Sequence, residues 1–587
     1  MSRRRFIFLV IVGLLSYLIV LARLFYLQVI KGKNYAELSK KNYVRRRVLY
    51  PQRGEILDRR GERLAYDVPK YMLLLDHQRL RDEGNLKEVL ENLRSLFGLQ
   101  LDYDSLRKRR AIEPVLLMEL KTQEEIDKFH NYSHKLPGVF INILPTRNYT
   151  YGEVCAHVAG YVGYPMEKHF KTYKDKVGTQ SLVGMYGLEK AFDSELLGNV
   201  GAEEVMVNAM GRVIGSMGNK EPEKGNSIVV SIDSRIQKIA YEVFKESGHK
   251  AGAVLILDTR TGEVLALLSY PSFEPNRISE LWSQYTEDKL RPLFNRAIHG
   301  RYPPASVIKP AFGLALLQKG VSHKEGIICR GSFELGGRNF FCWNRSGHGW
   351  VNLHKAIRDS CDSYFYHYGY HKLGPREMER VLREFSYGED IPFDLPLIKG
   401  FIPTPEWKRS NKREPWYGGD TVNLSIGQGF MRSTLFEQTL MMMAIANDGV
   451  VYKPILVREK RDAKGNIIWR AKRSVYKLVR ARPEHFALVR ESLREVVRSG
   501  TGMAAYSSIV DIAGKTGTAQ VSAHSARKNL PYHLRDHAWF IGFSPYRDPL
   551  FVIGVIVEHG GSGGSAAAPI ARQILERIYI EGIQKEI

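Results

Sequence analysis

Seventeen consecutive residues without a charge, Phe6 to Ala22 (FIFLVIVGLLSYLIVLA), constrain this chain more than any other stretch. With Arg23 snorkelling to the interface and LFYLQVI continuing to Ile30, the run is just long enough to cross a hydrocarbon core of about 30 Å. Arg3, Arg4 and Arg5 precede it. Basic flanks stay on the cytoplasmic side, so the pattern predicts a cytoplasmic tail over 1–5 and a membrane anchor over 6–30. A cleaved signal peptide is the competing reading. Its apolar core is usually about 7–15 residues, shorter than this run, and no A-x-A-like cleavage site follows here. No later stretch is apolar for anything near the roughly 18 residues a second span needs, which predicts a single-pass protein with residues 31–587 outside the cytoplasm.

That placement decides how the charge is read. An excess of 86 Lys+Arg over 63 Asp+Glu leaves +23, which invites an anionic partner; beyond the membrane, nucleic acid is excluded as that partner. Residues 31–60 carry ten basic against three acidic side chains, a solvated stalk that can also meet lipid headgroups. The globular balance of 44% hydrophobic and 25% charged residues excludes wholesale disorder, and four cysteines exclude a disulfide-built scaffold.

The polar stretch Asn219–Asn226 (NKEPEKGN) separates two textures, a module over 31–220 and a larger one over 226–587. In the first, Arg53–Gly61 reads as turn, short strand and turn, with backbone freedom from Gly54 and Gly61, while 86–98 and 123–133 have helical spacing. In the second, β-type runs occur at 227–233, 251–258, 263–269, 537–544 and 550–558, with helical segments such as 436–447 between them. Strands at both ends of one module predict an α/β domain whose sheet is assembled from distant parts of the chain.

Three short patterns carry chemistry. Ser306-Val-Ile-Lys309 puts a hydroxyl and an amine one helical turn apart, where a partly desolvated lysine can take the serine proton. Ser360-Cys361-Asp362 follows a helical-looking stretch about fifty residues on. Lys515-Thr516-Gly517-Thr518 reads as part of a strand, which offers an N–H for an oxyanion hole and a Lys/Thr pair for an anionic group. Each pattern alone occurs by chance. In this order, within one module, they resemble the motif set shared by serine β-lactamases and penicillin-binding proteins.

The resemblance covers nearly the whole chain. Arg53–Gly61 and Gly187-Leu188-Glu189 are similar to signatures of the non-catalytic pedestal of class B penicillin-binding proteins. Asn295-Arg296-Ala297, Tyr302-Pro303-Pro304, Ser425–Gly429 and Ala446–Gly449 are similar to surroundings of that family's transpeptidase site. Ser360-Cys361-Asp362 leading into Tyr364-Phe365-Tyr366, together with Asp536–Phe540 and Glu558–Gly564, resembles the elongation-type members; division-type members usually carry Asn where Asp362 stands. Ala305 replaces the usual Gly before the nucleophile.

The resemblance implies an antiparallel sheet flanked by helices, preceded by an elongated α+β pedestal and one transmembrane helix. It implies a D,D-transpeptidase that cross-links peptidoglycan stem peptides through an acyl-enzyme on Ser306 and is the target of β-lactams. Lys309 would be the base, and Ser360 would relay a proton to the leaving amine. Lys515 and Thr516 would hold the substrate carboxylate beside Asp362, Gly517 would allow close approach, and the N–H groups of Ser306 and Thr518 would form the oxyanion hole. No glycosyltransferase segment is evident, so the family reading implies a polytopic SEDS-family, RodA-like glycosyltransferase and other elongation-complex proteins as partners. A division-type transpeptidase, a β-lactamase, a D,D-carboxypeptidase and a non-enzymatic scaffold or β-lactam sensor are the alternatives.

Catalysis needs no cofactor in this reading, but Cys329, Cys342, His348 and Cys361 supply the thiolate and imidazole donors of a tetrahedral structural zinc. A disulfide leaving one of the three thiols unpaired, or three buried free thiols with a surface histidine, are the competing readings.

Overall fold

The computed structural model describes residues 3–587, apart from 34, 36–43, 78–79, 81–83, 109–113, 208–212 and 522–529. Helix α1 (Arg3–Phe25) contains the whole uncharged run and passes into a π-turn over Tyr26–Ile30. The span Phe6–Ile30 has a mean hydropathy of 2.6, is long and apolar enough to cross a membrane, and is not buried against the rest of the protein. Lys40 and Lys41 of the basic juxtamembrane run lie outside the described residues.

The first module is built on the long strand Arg63–Leu75, paired antiparallel with Val139–Tyr149 along its length and with Val115–Leu120 on its other side. The helix expected over 86–98 is Leu86–Phe97; it buries Leu86, Val89, Leu90 and Leu93, the i, i+3, i+4, i+7 stripe, against that sheet. The helix expected over 123–133 is Gln123–Tyr132, started by a reciprocal Thr122/Glu125 capping box.

Two of the sequence signatures meet in a buried ionic knot. Glu189 accepts from Arg53 Nε and from Arg147 Nε, both at 2.6 Å. Arg53 also reaches Asp193 at 2.7 Å, and Arg147 reaches Asp67 at 3.0 Å. Burial pushes the Glu189 carboxyl up, and the guanidiniums of Arg147 and Arg53 more than reverse this, holding it below its ordinary 4.5.

The two modules share a sheet. Ile56–Leu57 runs parallel to Ile228–Val229, whose strand pairs on its other side with Val457–Arg461 of the second module. Asp58 tightens the junction by accepting from the Ser234 hydroxyl at 2.8 Å. Gly54 serves this seam through space rather than freedom: a Cβ there would fall 1.9 Å from the Asn226 carbonyl oxygen. Gly61, at φ +91°, supplies the turn.

In the second module the five strands are β1 (Gly252–Asp258), β2 (Val264–Tyr270), β3 (Ala513–Ala519), β4 (His537–Ser544) and β5 (Phe551–Val557). They form one antiparallel sheet in the order β2-β1-β5-β4-β3, so β1 and β5, some 300 positions apart in sequence, become neighbours. Both faces are covered, which is why β1, β2, β4 and β5 read as nearly continuous apolar runs. Along β1, Ala253, Leu255 and Leu257 join one core, whereas Val254 and Ile256 join the other. The helices that matter for the site are α2 (Lys309–Gln318), α3 (Asp362–Tyr368) and α4 (Leu435–Ala446). Helix α4 is buried on every side and fills the first core; Ser234–Glu246 and Ala568–Ile580 cover the other face.

Candidate active site

Ser306 lies in a 3-10 turn, Ala305–Ile308, that runs directly into α2. Ala305 sits at φ +53°, a left-handed conformation that costs a residue bearing a Cβ of order 1–3 kcal/mol and persists only where neighbours enforce it. Here they do. The Ala305 N–H donates to the Gly427 carbonyl at 2.9 Å, and the Trp539 indole donates to the Pro303 carbonyl at 3.0 Å. Tyr302 gives its hydroxyl to Glu558 at 2.7 Å, and Glu558 is ion-paired with Arg296 at 2.9 Å. Five of the sequence patterns, those holding Arg296, Tyr302, Gly427, Trp539 and Glu558, thus converge on the turn that presents Ser306.

Lys309 begins α2 and is fully buried. Its Nζ donates to the Ser360 carbonyl at 2.9 Å, the Ser360 hydroxyl at 3.3 Å and Asp362 Oδ1 at 2.7 Å. Ser360 is held at φ +53°, so the bend that opens α3 aims both its carbonyl and its hydroxyl at the amine. Asp362 Oδ2 accepts from the Trp343 N–H at 2.9 Å, so both carboxylate oxygens are engaged within the protein.

Strand β3 is the edge of the sheet and carries Lys515, Thr516, Gly517 and Thr518 opposite Ile541, Phe540, Trp539 and Ala538 of β4. Lys515 is fully buried and bonds the Thr516 carbonyl at 3.0 Å. Burial pushes its amine well below the usual lysine range, the Lys309 charge pushes the same way, and Asp362 partly opposes them. A buried amine with so little compensating charge favours an anionic ligand. At Gly517 a Cβ would fall 2.7 Å from Val307 Cγ2, so glycine lets β3 close on the nucleophile turn. Gln428 donates to the Thr518 carbonyl at 3.0 Å, tying the Ser425–Gly429 loop to the strand.

Cys329, Cys342, His348 and Cys361 also come together, all four ligand atoms lying within 4.8 Å of one another. Their spacing in sequence is spanned by two small hairpins, Gly326–Cys329 with Gly349–Asn352 and Ser332–Leu335 with Arg338–Phe341. His348 Nδ1 is 3.6 Å from both Cys329 Sγ and Cys342 Sγ, and all the cysteines are free thiols. A hydrogen bond from Cys361 holds the Cys342 thiol far below its ordinary range, and Cys342 in turn pushes His348 up to about 9. Two other histidines of this region are engaged elsewhere: His354 contacts the Ser492 hydroxyl at 3.0 Å, and His367 stacks in a ring cluster with Phe333 and His371.

Sequence reasoning did not single out Thr501, whose hydroxyl lies 2.8 Å from that of Thr516, or Trp343. Thr501 sits in a short Ser-Gly-Thr-Gly turn after a helix, and nothing in that pattern marks it. Tyr302, Arg296 and Glu558 lay within recognised patterns, but their contacts join residues more than 250 positions apart.

A serine at a strained turn, a buried lysine beside it and a basic-hydroxyl triplet on an adjoining edge strand define a serine acyl-transfer site. Comparison with known proteins gives the lineage. Residues 48–230 match the family described as penicillin-binding protein dimerisation domain, and residues 252–576 match penicillin binding protein transpeptidase domain. The peptidoglycan D,D-transpeptidase MrdA of Acinetobacter baumannii is 35% identical over 585 residues, covering 96% of this chain and 86% of that protein. The penicillin-binding protein PBP2 of Helicobacter pylori, solved in complex with MreC, superposes with a TM-score of 0.79 at 28% identity, covering 92% of this chain and all of that one. A chain from a peptidoglycan synthase complex that coordinates polymerization and crosslinking superposes with a TM-score of 0.74 at 27% identity, covering 98% of this chain and 99% of that one. The chain belongs to the class B penicillin-binding proteins.

Proposed function

We propose that Ser306 is the nucleophile of an elongation-type peptidoglycan D,D-transpeptidase. It attacks the carbonyl between the two D-alanines of a stem peptide, and the last D-alanine leaves. The observation that carries this reading is the buried Lys309, aimed at Ser360 and Asp362 from the turn next to Ser306. Lys309 takes the Ser306 proton, and Asp362, 2.7 Å away, stabilises the ammonium that forms. With both oxygens occupied, Asp362 acts on Lys309 rather than as an amide-like donor to substrate. Ser360 passes the proton to the departing amine. Lys515 and Thr516 hold the terminal carboxylate, which supplies the charge that the buried amine lacks. The N–H groups of Ser306 and Thr518 stabilise the oxyanion, where losing one donor costs about 2.7–4 kcal/mol. A second stem peptide's amine then releases the product, and β-lactams acylate Ser306 in place of substrate.

The catalytic module acts outside the cytoplasm, with α1 as its anchor and the tail inside. The structural relatives solved with MreC and within a synthase complex support elongation-complex partners; the family resemblance adds a RodA-like glycosyltransferase that supplies the glycan. Mass spectrometry of products from a stem pentapeptide mixture separates the alternatives. Cross-linked dimer is expected; tetrapeptide alone identifies a D,D-carboxypeptidase, and a stable adduct with no turnover identifies a sensor.

Cys329, Cys342, His348 and Cys361 would hold a structural zinc through three thiolates and Nδ1, and the convergence of those donors on one point supports the fit. Zinc there would brace Cys361, and with it Ser360 and Asp362 on either side. Elemental analysis of protein purified without chelator is expected to find one zinc per chain, lost in Cys342→Ser; metal-free protein of unchanged melting temperature rules the site out.

A further inference from the structure

The side chain of Trp343 has no part in the assignments above. The backbone N–H of Trp343 meets Asp362 Oδ2 at 2.9 Å while Lys309 Nζ meets Asp362 Oδ1 at 2.7 Å, so a single carboxylate separates the two residues. The indole N–H donates to the Asp359 carbonyl at 3.0 Å, and the ring packs edge-on against His348 with centroids 5.3 Å apart. Yet the residue is 58% exposed. A tryptophan that exposed ordinarily keeps its rotamer freedom; this one is already ordered, with the entropy of fixing it spent before any ligand arrives.

The neighbouring residues extend the same surface. Phe341 and Trp343 are both exposed on either side of buried Cys342, where the chain leaves the Arg338–Phe341 strand for a bend. The Arg345 guanidinium lies 3.9 Å over the Phe341 ring and takes part in none of the ion pairs among the described residues. Aromatic faces beside an uncommitted, stacked guanidinium suit a peptide that carries carboxylates.

Its position selects which peptide. This surface is on the Ser360–Asp362 side of the site rather than on β3, and Ser360 passes the proton to the departing amine. The incoming amine must follow the departing one's path in reverse. We propose that Trp343 and Arg345, backed by Phe341, form the binding ledge for the acceptor stem peptide. The proposal rests on the transpeptidase reading. In the step it serves, the acceptor nitrogen bonds to the acyl carbon, the bond from that carbon to Ser306 Oγ breaks, and one amine proton returns through Ser360 and Lys309 to Oγ. The rings cover the apolar part of the acceptor, and Arg345 takes one of its carboxylates.

The test uses the full-length protein in detergent, acylated by a stem pentapeptide donor and offered either glycine or the tetrapeptide L-Ala–γ-D-Glu–meso-diaminopimelate–D-Ala. Mass spectrometry gives the ratio of transfer to hydrolysis for each acceptor, and their quotient is the preference for an acceptor with a peptide body. Trp343→Ala and Arg345→Ala are each expected to lower that preference about ten-fold, with most of it restored in Trp343→Phe. Amidating the tetrapeptide's carboxylates removes the Arg345 contribution and leaves that of Trp343. The ledge is overturned if both alanine variants keep the wild-type preference, if Trp343→Phe is as defective as Trp343→Ala, or if the wild type does not prefer the tetrapeptide. A wild type that forms no acyl-enzyme from the donor overturns the transpeptidase reading itself, a different and separately visible result.

Discussion

Ser306→Ala is expected to abolish covalent labelling by a fluorescent penicillin, lowering the acylation rate by at least about 10⁴-fold. The size follows from chemistry rather than affinity: an acyl-enzyme needs an oxygen at Cβ, and no neighbouring group can replace it. Lys309 is fully buried and committed to Ser360 and Asp362, while Thr516 is engaged with Thr501. The variant should still fold, because the turn is held by contacts that do not involve the Ser306 hydroxyl: Ala305 to Gly427, Trp539 to Pro303 and Tyr302 to Glu558. A melting temperature within a degree or two of wild type, measured alongside the labelling, separates lost chemistry from lost structure. A persistent covalent adduct would remove Ser306 from the mechanism.

Glu189→Ala carries the largest expected effect on stability. Two guanidiniums, Arg53 and Arg147, lose the carboxylate between them in a site where Glu189 itself has no exposed surface. Breaking one buried ion pair by removing a partner costs about 3–5 kcal/mol, because the remaining charge cannot recover its hydration. For a module of this size that corresponds to a fall of about 10 °C in the melting temperature of the pedestal. Asp193 and Asp67 still face the two arginines, which keeps the effect from being larger. The pH dependence has a definite sign. A carboxyl held below 4.5 in the folded state contributes stability above that pH and loses it as pH falls through the folded value. Wild-type pedestal is therefore expected to become protease-sensitive on acidification below about pH 4.5, and Glu189→Ala to be sensitive already at neutral pH. Equal protease resistance of the two proteins at pH 7 would sink this account of the knot.

The knot also shows how legibility divides. Arg53 and Glu189 each lay in a recognisable local pattern, but Arg147 was marked by nothing, since a single arginine on a strand has no signature until its partner is known. The same holds at the active site. Ser306, Lys309, Ser360, Lys515 and their neighbours were readable because each triplet is local and its chemistry follows from side chains a few positions apart. Trp343 and Thr501 were not, because their importance comes from contacts made across folded loops. Asp362 lies between these cases: its position was legible, whereas its engagement with Lys309 and Trp343 depends on the bend at Ser360.

By itself, then, the amino-acid sequence determined what is local in origin: the uncharged span that makes α1, the strand and helix periodicities, the order of the three catalytic patterns and the donor types of the cysteine cluster. Tertiary structure decided what depends on distance through space. It set β3 at the sheet edge against the turn of Ser306, joined the two modules through one sheet at Ile56 and Ile228, and gathered four ligand atoms within 4.8 Å. The physical reason is that periodicity and turn chemistry act over a few residues, whereas burial, ion pairing and close approach are properties of neighbours that the chain brings together only on folding.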